Sequence, residues 1–216
     1  MEYSLAVVGP VGAGKSTLVE LLAERKSRDV IEEPWQDNPY IKRLPENVFS
    51  CQWKMFSLMA DCHRKLKVNR NSILDRTFYE VFGVFTRQLK GYLTPEEYEA
   101  LQMANRQLEG SIYTPDVIIY LRCPAAIAWQ RIVKRGRAFE IEKYGLDYCE
   151  DQSFLYEGLY GYLKPKTYVI DVSAEQSKDQ ILSECIRKLG AFERNHKPMD
   201  ISAAIQKHNE RISKKT

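Results

Sequence analysis

No run of about 18 consecutive apolar residues occurs in this sequence of 216 residues. Its first residues, Glu2 and Tyr3, lead directly into the apolar segment 5–8, without the basic region that opens a signal peptide. A membrane-spanning helix and a secretory leader both require such segments. We therefore expect a protein that is neither membrane-spanning nor secreted and that has no membrane partner.

Cysteines are few, and their spacing forms no recognisable set. They are Cys51, Cys62, Cys123, Cys149 and Cys185, an odd number without a CxxC pair. Zinc sites and disulfide frameworks both depend on paired spacings. The sequence thus predicts reduced thiols that pack inside a cytoplasmic protein.

The net charge is also small, and a value of +3 is too low to favour a nucleic-acid partner. Repeats and low-complexity segments are absent, and the hydrophobic content of 44% is ordinary for a globular protein. The length predicts one domain over residues 1–192 and a polar tail over residues 193–216. Within that tail Asp200 is placed to cap a short amphipathic helix, and a frayed tail is the alternative.

Short apolar segments alternate with helical ones along the chain. Strands are predicted over residues 4–8, 30–31, 72–74, 117–121 and 167–172. Helices are predicted over residues 16–25 and 49–68, and from Pro95 to about Glu109 behind an N-cap at Thr94. This alternation indicates a doubly wound α/β fold with a mostly parallel, five-stranded sheet.

The segment GPVGAGKS at residues 9–16 matches the phosphate-binding pattern GxxxxGK[ST], between a strand and a helix. Its glycines let backbone N–H groups surround phosphate oxygens, and the helix N-terminus adds partial positive charge. Lys15 is expected to reach the β- and γ-phosphates of ATP, and Ser16 to bind Mg²⁺. The residues expected to bind nucleotide here are Gly9, Gly12, Ala13, Gly14, Lys15, Ser16 and Thr17.

The patterns that mark a GTPase-type switch, DxxG and NKxD, are both missing from this chain. Two other segments follow predicted strands, EEPW at residues 32–35 and LDRT at 74–77, and an arginine-dense stretch comes later at 131–140. The carboxyl ends of strands in such a sheet converge on the ligand crevice. These segments therefore favour a phosphoryl-transfer site, with a carboxylate base, an acid–arginine pair and a helical lid of arginines.

Each segment has a plainer interpretation. Glu33 before Pro34 is also typical of a simple strand end, Asp75 and Arg76 of a surface ion pair, and the arginine stretch of a solvated helix face. Their occurrence together, in this order behind a phosphate loop, favours the catalytic interpretation.

At these residues the chain resembles the deoxynucleoside kinase family over about residues 4–190. The family pattern places E-P, a base-reading Gln, [DE]-R-S and R-x₃-R-G-R-x-x-E after the phosphate loop. Similar positions here are Glu33-Pro34, Gln52, Asp75-Arg76-Thr77, and Arg131 with 135–140. The resemblance implies phosphorylation of a deoxynucleoside 5′-hydroxyl by ATP and Mg²⁺, a P-loop NTPase-type fold with a helical lid, and a homodimer.

Carried over by position, the resemblance makes Glu33 the general base and Arg76 the residue that orients it. Asp75 then lies near Mg²⁺ together with Ser16, while Lys15 contacts the phosphates.

The same resemblance places Arg131 against the adenine of ATP and puts Arg135 and Arg137 on its phosphates. Glu140 accepts a hydrogen bond from the sugar 3′-hydroxyl. Three arginines facing one another repel until phosphate arrives, so we expect the lid to close over ATP.

The substrate pocket is expected to contain Trp35 and Gln52, whose amide offers both donors and an acceptor to a base edge. Two features depart from the family. The expected Tyr before Gln52 falls near Ile41 and Lys42, with Tyr40 as a substitute, and the adenine loop matches 175–176 loosely.

Base choice follows from two further positions of the resemblance. Members that prefer cytosine or purines carry an Arg seven residues after the Gln and an Asp six residues after the [DE]-R-S acid. Here those positions are Met59 and Val81, with Met55 as another apolar wall. The interpretation is a pocket for the thymine methyl, with thymidine first, other pyrimidine deoxynucleosides second and purines last. The alternative is that the methionines are ordinary core residues.

Two other functions compete with this one. A nucleoside monophosphate kinase, such as a thymidylate kinase, needs an extra arginine near the second strand, where only Arg43 is available. A nucleotide-dependent assembly or switch protein is the non-enzymatic alternative.

Overall fold

The computed structural model describes residues 2–196. The helix predicted to begin near Asp200 lies outside these residues. The polar segment predicted to begin at residue 193 is helical through Asn195. Glu193 is part of the folded domain, because its carboxylate accepts hydrogen bonds from the Tyr3 hydroxyl at 2.8 Å and from Lys26 Nζ at 2.9 Å.

All five predicted strands form one sheet, in the order β2-β3-β1-β4-β5, and every neighbouring pair is parallel. The strands are β1 Leu5–Val8, β2 Asp29–Ile31, β3 Ser72–Asp75, β4 Val117–Arg122 and β5 Tyr168–Ser173. Strands buried on both faces carry continuous apolar runs, as β1 and β4 do. The α/β class with a five-stranded parallel sheet is confirmed.

Helices cover both faces of this sheet. They are α1 Lys15–Lys26, α2 Val48–Val68, α3 Phe78–Glu80, α4 Pro95–Glu109, α5 Ala125–Arg135, α6 Ala138–Lys143, α7 Leu146–Leu163 and α8 Lys178–Asn195. Thr94 caps α4 as predicted, since its hydroxyl accepts from the Glu97 N–H at 3.2 Å. Among the described residues, no helix is long and apolar enough to cross a membrane.

Alternate residues of β1 pack into two separate hydrophobic cores, one on each face of the sheet. Leu5 and Val7 pack with residues of α1, α5 and α8, whereas Ala6 and Val8 pack with residues of α2 and α7. All five cysteines are free and buried, as the sequence predicts.

Helices α3, α7 and α8 were not predicted, and neither was one further element. Directly after α3 the chain forms a π-helix over Val81–Thr86, a rare form that is often found at functional sites. It packs against α2 and α7, and so it brings residues of three separate segments together beside the end of β3.

Candidate active site

The phosphate loop follows β1 and runs into the first turn of α1. Gly12 has φ +82°, and a Cβ at this position would lie 2.5 Å from the Ala128 carbonyl oxygen, so only glycine fits. Gly14 is the N-cap of α1 at φ +96°, and no acidic side chain occupies the first turn. The helix N-terminus therefore keeps its partial positive charge for an anion.

Lys15 is buried within this loop, where its Nζ donates to the Pro10 carbonyl at 2.9 Å. Burial, followed by the nearby Arg76 guanidinium, lowers the pKa of Lys15 to about 8. A buried cation with one carbonyl partner has donors left over for phosphate oxygens.

Ser16 and Asp75 meet where α1 begins and β3 ends. The Ser16 hydroxyl donates to Asp75 Oδ2 at 2.8 Å. Asp75 Oδ1 is buried, and it has no hydrogen-bond partner among the described residues. A hydroxyl and a carboxylate oxygen of this kind suit Mg²⁺, which takes few protein ligands and completes its shell with water and phosphate oxygens.

Arg76 is the first residue after β3 and adopts φ +70°, a left-handed conformation that is unfavourable for a residue with a Cβ. Its backbone N–H donates to the Val7 carbonyl at 3.0 Å, which ties it to β1. Its Nε donates to Glu33 Oε2 at 2.7 Å. The ends of β1, β2 and β3 thus bring together the predicted residues Lys15, Glu33 and Arg76.

Glu33 and Glu32 differ in their surroundings, although they are adjacent. Glu33 is partly buried and bound to Arg76, whereas Glu32 is exposed to solvent. The next residues, Trp35–Asp37, form a single 3₁₀ turn, with Trp35 39% exposed.

Two residues that the sequence analysis did not select complete this cluster. Glu80 Oε1 accepts from Arg76 Nη1 at 3.0 Å and from the Tyr156 hydroxyl at 2.6 Å. Tyr156 also accepts from Arg76 Nη1 at 2.8 Å. Burial acts to lower the pKa of Arg76, but Glu33, Tyr156 and Glu80 together hold that pKa well above its usual value.

A sequence signal for Glu80 was present. Thr77-x-x-Glu80 is a capping-box pattern directly behind the Asp-Arg pair, and the structure contains that capping box. Burial raises the pKa of Glu80, against the opposing effects of Arg76 and Lys15. Tyr156, on α7, had no comparable signal.

The predicted base-reading residue, Gln52, is 4% exposed on α2. Thr86 Oγ1, at the end of the π-helix, lies 3.2 Å from Gln52 Oε1 and 2.7 Å from the Val81 carbonyl oxygen. Gln52 is therefore held by a side chain that the sequence analysis did not single out.

The predicted apolar wall belongs to a large buried cluster. Met55, Met59 and Val81 are 8%, 1% and 3% exposed, and they pack with Phe56 and Phe82. This packing is what is expected if the two methionines are ordinary core residues. Of the three side chains, that of Met55 has the largest exposed fraction.

The lid differs from the sequence-based expectation. Its arginines do not face one another: Arg131 donates to the carbonyl oxygens of Ala13 at 3.1 Å and Ala174 at 2.7 Å. Arg135 and Arg137 both pair with Glu140, the latter at 3.3 Å, and Glu140 is 5% exposed. The Glu140 carboxylate, five residues after Arg135, neutralises two of the three arginine charges, so the expected repulsion between them does not arise.

A cavity of about 260 Å³ opens beside the phosphate loop, next to Arg131. Apolar side chains from α1, β4 and α8 line it, and Thr17 and Gln176 add polar groups. This is where the sequence analysis expected adenine, and Gln176 lies in the loop that matched the family only loosely.

Comparison with known proteins agrees with this geometry. A family model described as deoxynucleoside kinase matches residues 5–189. A deoxyguanosine kinase from Bacillus subtilis (strain 168) is 31% identical over 197 residues, which cover 83% of this chain and 90% of that protein. A deoxyadenosine/deoxycytidine kinase from the same organism is 27% identical over 162 residues, which cover 71% of this chain and 74% of that protein.

Solved structures lead to the same family. The deoxyadenosine kinase from M. mycoides, with the products dCMP and a flexible dCDP bound, superposes with a TM-score of 0.77 at 28% identity. That match covers 87% of this chain and 99% of the other. The structure of the same enzyme with bound dATP also has a TM-score of 0.77, at 27% identity. Because the family model spans residues 5–189 and the first of these relatives is 31% identical over most of both chains, the chain belongs to the deoxynucleoside kinase family.

Proposed function

We propose that this kinase transfers the γ-phosphoryl group of ATP to the 5′-hydroxyl of a deoxynucleoside, with Glu33 as the general base. The pairing of Glu33 with Arg76 at 2.7 Å, beside the phosphate loop, carries the proposal. Glu33 accepts the hydroxyl proton as the 5′-oxygen bonds to the γ-phosphorus, and ADP leaves with the bridging oxygen. Lys15 and Arg76 face the charge that develops on the phosphoryl oxygens.

ATP fits the chain in two places. The α1 N-terminus and the buried Lys15 suit its phosphates, and the cavity beside Arg131 suits its adenine. Ser16 Oγ and Asp75 Oδ1 would hold Mg²⁺, which neutralises phosphate charge when it is bound. Arg135, Arg137 and Glu140 are proposed to contact the phosphates and the sugar 3′-hydroxyl.

Thymidine is the first candidate substrate. It is supported by the apolar positions Met59 and Val81, where an Arg–Asp pair would otherwise crowd the base, and by Met55 beside Gln52. Burying the thymine methyl against these side chains contributes about 0.8 kcal/mol. The paired substitution Met59→Arg with Val81→Asp should then shift preference away from thymidine.

Purine deoxynucleosides are the second candidate, favoured by the names of the relatives, which include three deoxyguanosine kinases that match most of this chain. Of the purine deoxynucleosides, deoxyguanosine shares one chemical feature with thymidine. Guanine (O6 and N1–H) and thymine (O4 and N3–H) both present an acceptor beside a donor, which one orientation of the Gln52 amide can pair. Adenine and cytosine present the opposite order.

The deciding experiment measures ADP formation with the four deoxynucleosides and, separately, with their monophosphates. Turnover with a deoxynucleoside, and none with a monophosphate, is expected. A clear preference for deoxyguanosine or deoxyadenosine would overturn the thymidine hypothesis. Turnover with monophosphates alone would make the chain a nucleoside monophosphate kinase, and ADP release independent of both would favour the non-enzymatic class.

A homodimer is proposed from the resemblance. Met103 on α4 and Phe154 on α7 are 56% and 78% exposed, and a partner copy could bury them. Light scattering coupled to size exclusion tests the proposal, and a mass near 25 kDa at micromolar concentration would contradict it.

A further inference from the structure

Arg76 holds its position against its own backbone preference. Its φ of +70° lies in the region that disfavours residues with a Cβ, so surrounding contacts must stabilise this conformation. The backbone contact to Val7 holds the main chain, but it leaves the long side chain free to turn. Something else must fix the guanidinium.

Contacts at both ends of the guanidinium provide that constraint. Nε faces Glu33, while Nη1 donates to Glu80 at 3.0 Å and to Tyr156 at 2.8 Å. The Phe85 ring lies against the same group, with its centroid 4.8 Å from the Arg76 Cζ. A planar group held at two edges and one face cannot rotate without breaking several charge-assisted bonds.

Both carboxylate oxygens of Glu80 already accept hydrogen bonds. Its Oε2 accepts from the Thr77 N–H at 2.6 Å, which caps α3, and its Oε1 faces Arg76 and Tyr156. The residue is 0% exposed, so its carboxylate has no water to replace these partners. Such a buried group is costly unless every partner is in place.

Tyr156 brings a distant helix into the cluster. It is fully buried on α7, and its ring stacks on Tyr120 at 6.1 Å between centroids. Its hydroxyl donates to Glu80 and accepts from Arg76, so both of its hydrogen-bonding roles are used within the cluster.

We propose that Glu80 and Tyr156 are positioning residues that lock the Arg76 guanidinium so that it holds Glu33 in the orientation needed for proton transfer. They act through Arg76, and the inference rests on the proposed role of Glu33. Misplacing a reacting group by a fraction of an ångström lowers turnover while leaving ground-state binding largely intact.

Tyr156→Phe is the cleanest test, because it removes one hydroxyl and keeps the stacked ring. We expect kcat to fall about tenfold or more, with the KM for deoxynucleoside changed less than about threefold. The matched control is Tyr120→Phe, which removes a hydroxyl that donates to Glu157 at 3.0 Å from the neighbouring ring. Equal kcat values in the two variants would overturn the inference.

A second test uses Glu80→Gln, whose amide has one acceptor oxygen and cannot serve both Thr77 and Arg76. Its control is Glu97→Gln, the same exchange in the capping box of α4 far from Arg76, where a glutamine can still accept from the Thr94 N–H as Gln180 does from Ser177 before α8. We expect Glu80→Gln to lose turnover and Glu97→Gln to retain it. Loss of turnover in both variants would assign the Glu80 effect to helix capping alone and contradict the inference.

Combining variants separates this inference from the proposed function. If Tyr156 acts through Glu33, adding Tyr156→Phe to Glu33→Gln should cause little further loss of kcat. A full additional tenfold loss in that background would overturn the inference. Near-normal turnover of Glu33→Gln alone would instead overturn the proposed base.

Discussion

Thr86 Oγ1 lies 3.2 Å from Gln52 Oε1, and both side chains are buried between α2 and the π-helix. The hydroxyl has a single proton, which the closer Val81 carbonyl at 2.7 Å accepts, so the π-helix fixes both its position and the role that it offers the Gln52 amide. An amide anchored at one atom presents its donor and acceptor in one order only. The amide should therefore discriminate between bases of opposite order.

The first prediction removes that anchor. In Thr86→Val the Gln52 amide becomes free to turn, so the variant should discriminate less between bases. The kcat/KM ratio of deoxyguanosine to deoxyadenosine, and that of thymidine to deoxycytidine, should each move several-fold closer to 1. Thr86→Ser should preserve both ratios. Thr167→Val is the control, since it removes a hydroxyl bound to the Pro115 carbonyl at 2.6 Å outside the site. Unchanged ratios in Thr86→Val would refute the anchoring role.

The second prediction compares neighbouring carboxylates. Glu33→Gln should lower kcat by about 10²–10⁴-fold, the usual cost of losing a general base, with the fold intact by circular dichroism. Glu32→Gln should remain close to the parent, because Glu32 is exposed and Glu33 contacts Arg76. The reverse pattern of rates would assign the base to Glu32.

The third prediction concerns Lys15 and pH. The pKa of Lys15 is about 8 in the free chain, so the amine loses its proton above that pH. ATP phosphates bind the protonated amine, and ATP binding above pH 8 therefore takes up a proton. The Kd for ATP should therefore rise by up to about tenfold per pH unit between pH 8 and 9.5, as measured by calorimetry. Lys15→Ala should bind weakly at every pH. A flat Kd in the parent protein would contradict the prediction.

The fourth prediction concerns His63, which is buried and accepts from the Phe78 N–H at 2.9 Å while facing the Tyr113 carbonyl at 2.7 Å. Burial lowers its pKa to about 4, although the Tyr113 contact opposes the shift. The unfolded chain protonates near pH 6.5 and the folded one near pH 4, so stability from neutral His63 is present above pH 6.5 and falls as pH drops through that window.

Urea unfolding of the parent and of His63→Gln, at pH 7.5 and 5, measures this effect. The parent should lose about 2 kcal/mol more than the variant over that interval. Carboxylates that titrate in the same range affect both proteins alike, so the difference isolates the imidazole. Equal losses would show that His63 does not titrate in this way.

Local patterns were enough to predict the sheet and the nucleotide end of the site. Residues 9–16 specify a phosphate loop through spacing alone, and the alternation of apolar strands with helices predicts the parallel order that brings Glu33, Asp75 and Arg76 to one edge. The Thr94 cap was predictable for the same reason, since its partner lies three residues away.

What the sequence could not predict depends on long-range packing. Tyr156 meets Arg76 across 80 positions, and nothing in its surroundings on α7 distinguishes it from other aromatic residues. The π-helix depends on how Val81–Thr86 packs between α2 and α7, and Thr86 acquires a role only through that packing. The lid arginines were misjudged because each was weighed as an isolated charge.

In the lid, Glu140 pairs with both Arg135 and Arg137. The phosphates of a bound nucleotide would compete with the Glu140 carboxylate for these two arginines. If phosphates draw the two arginines away, the carboxylate is released for the sugar, and each ligand should strengthen the other's binding by the same factor. After transfer, the phosphoryl group that ADP has lost is carried by the deoxynucleoside, so the two products share the phosphates that would compete with Glu140. As one product leaves, the carboxylate would recover its arginines and the contacts to the other product would weaken, so loading and unloading of the kinase would be linked through three side chains.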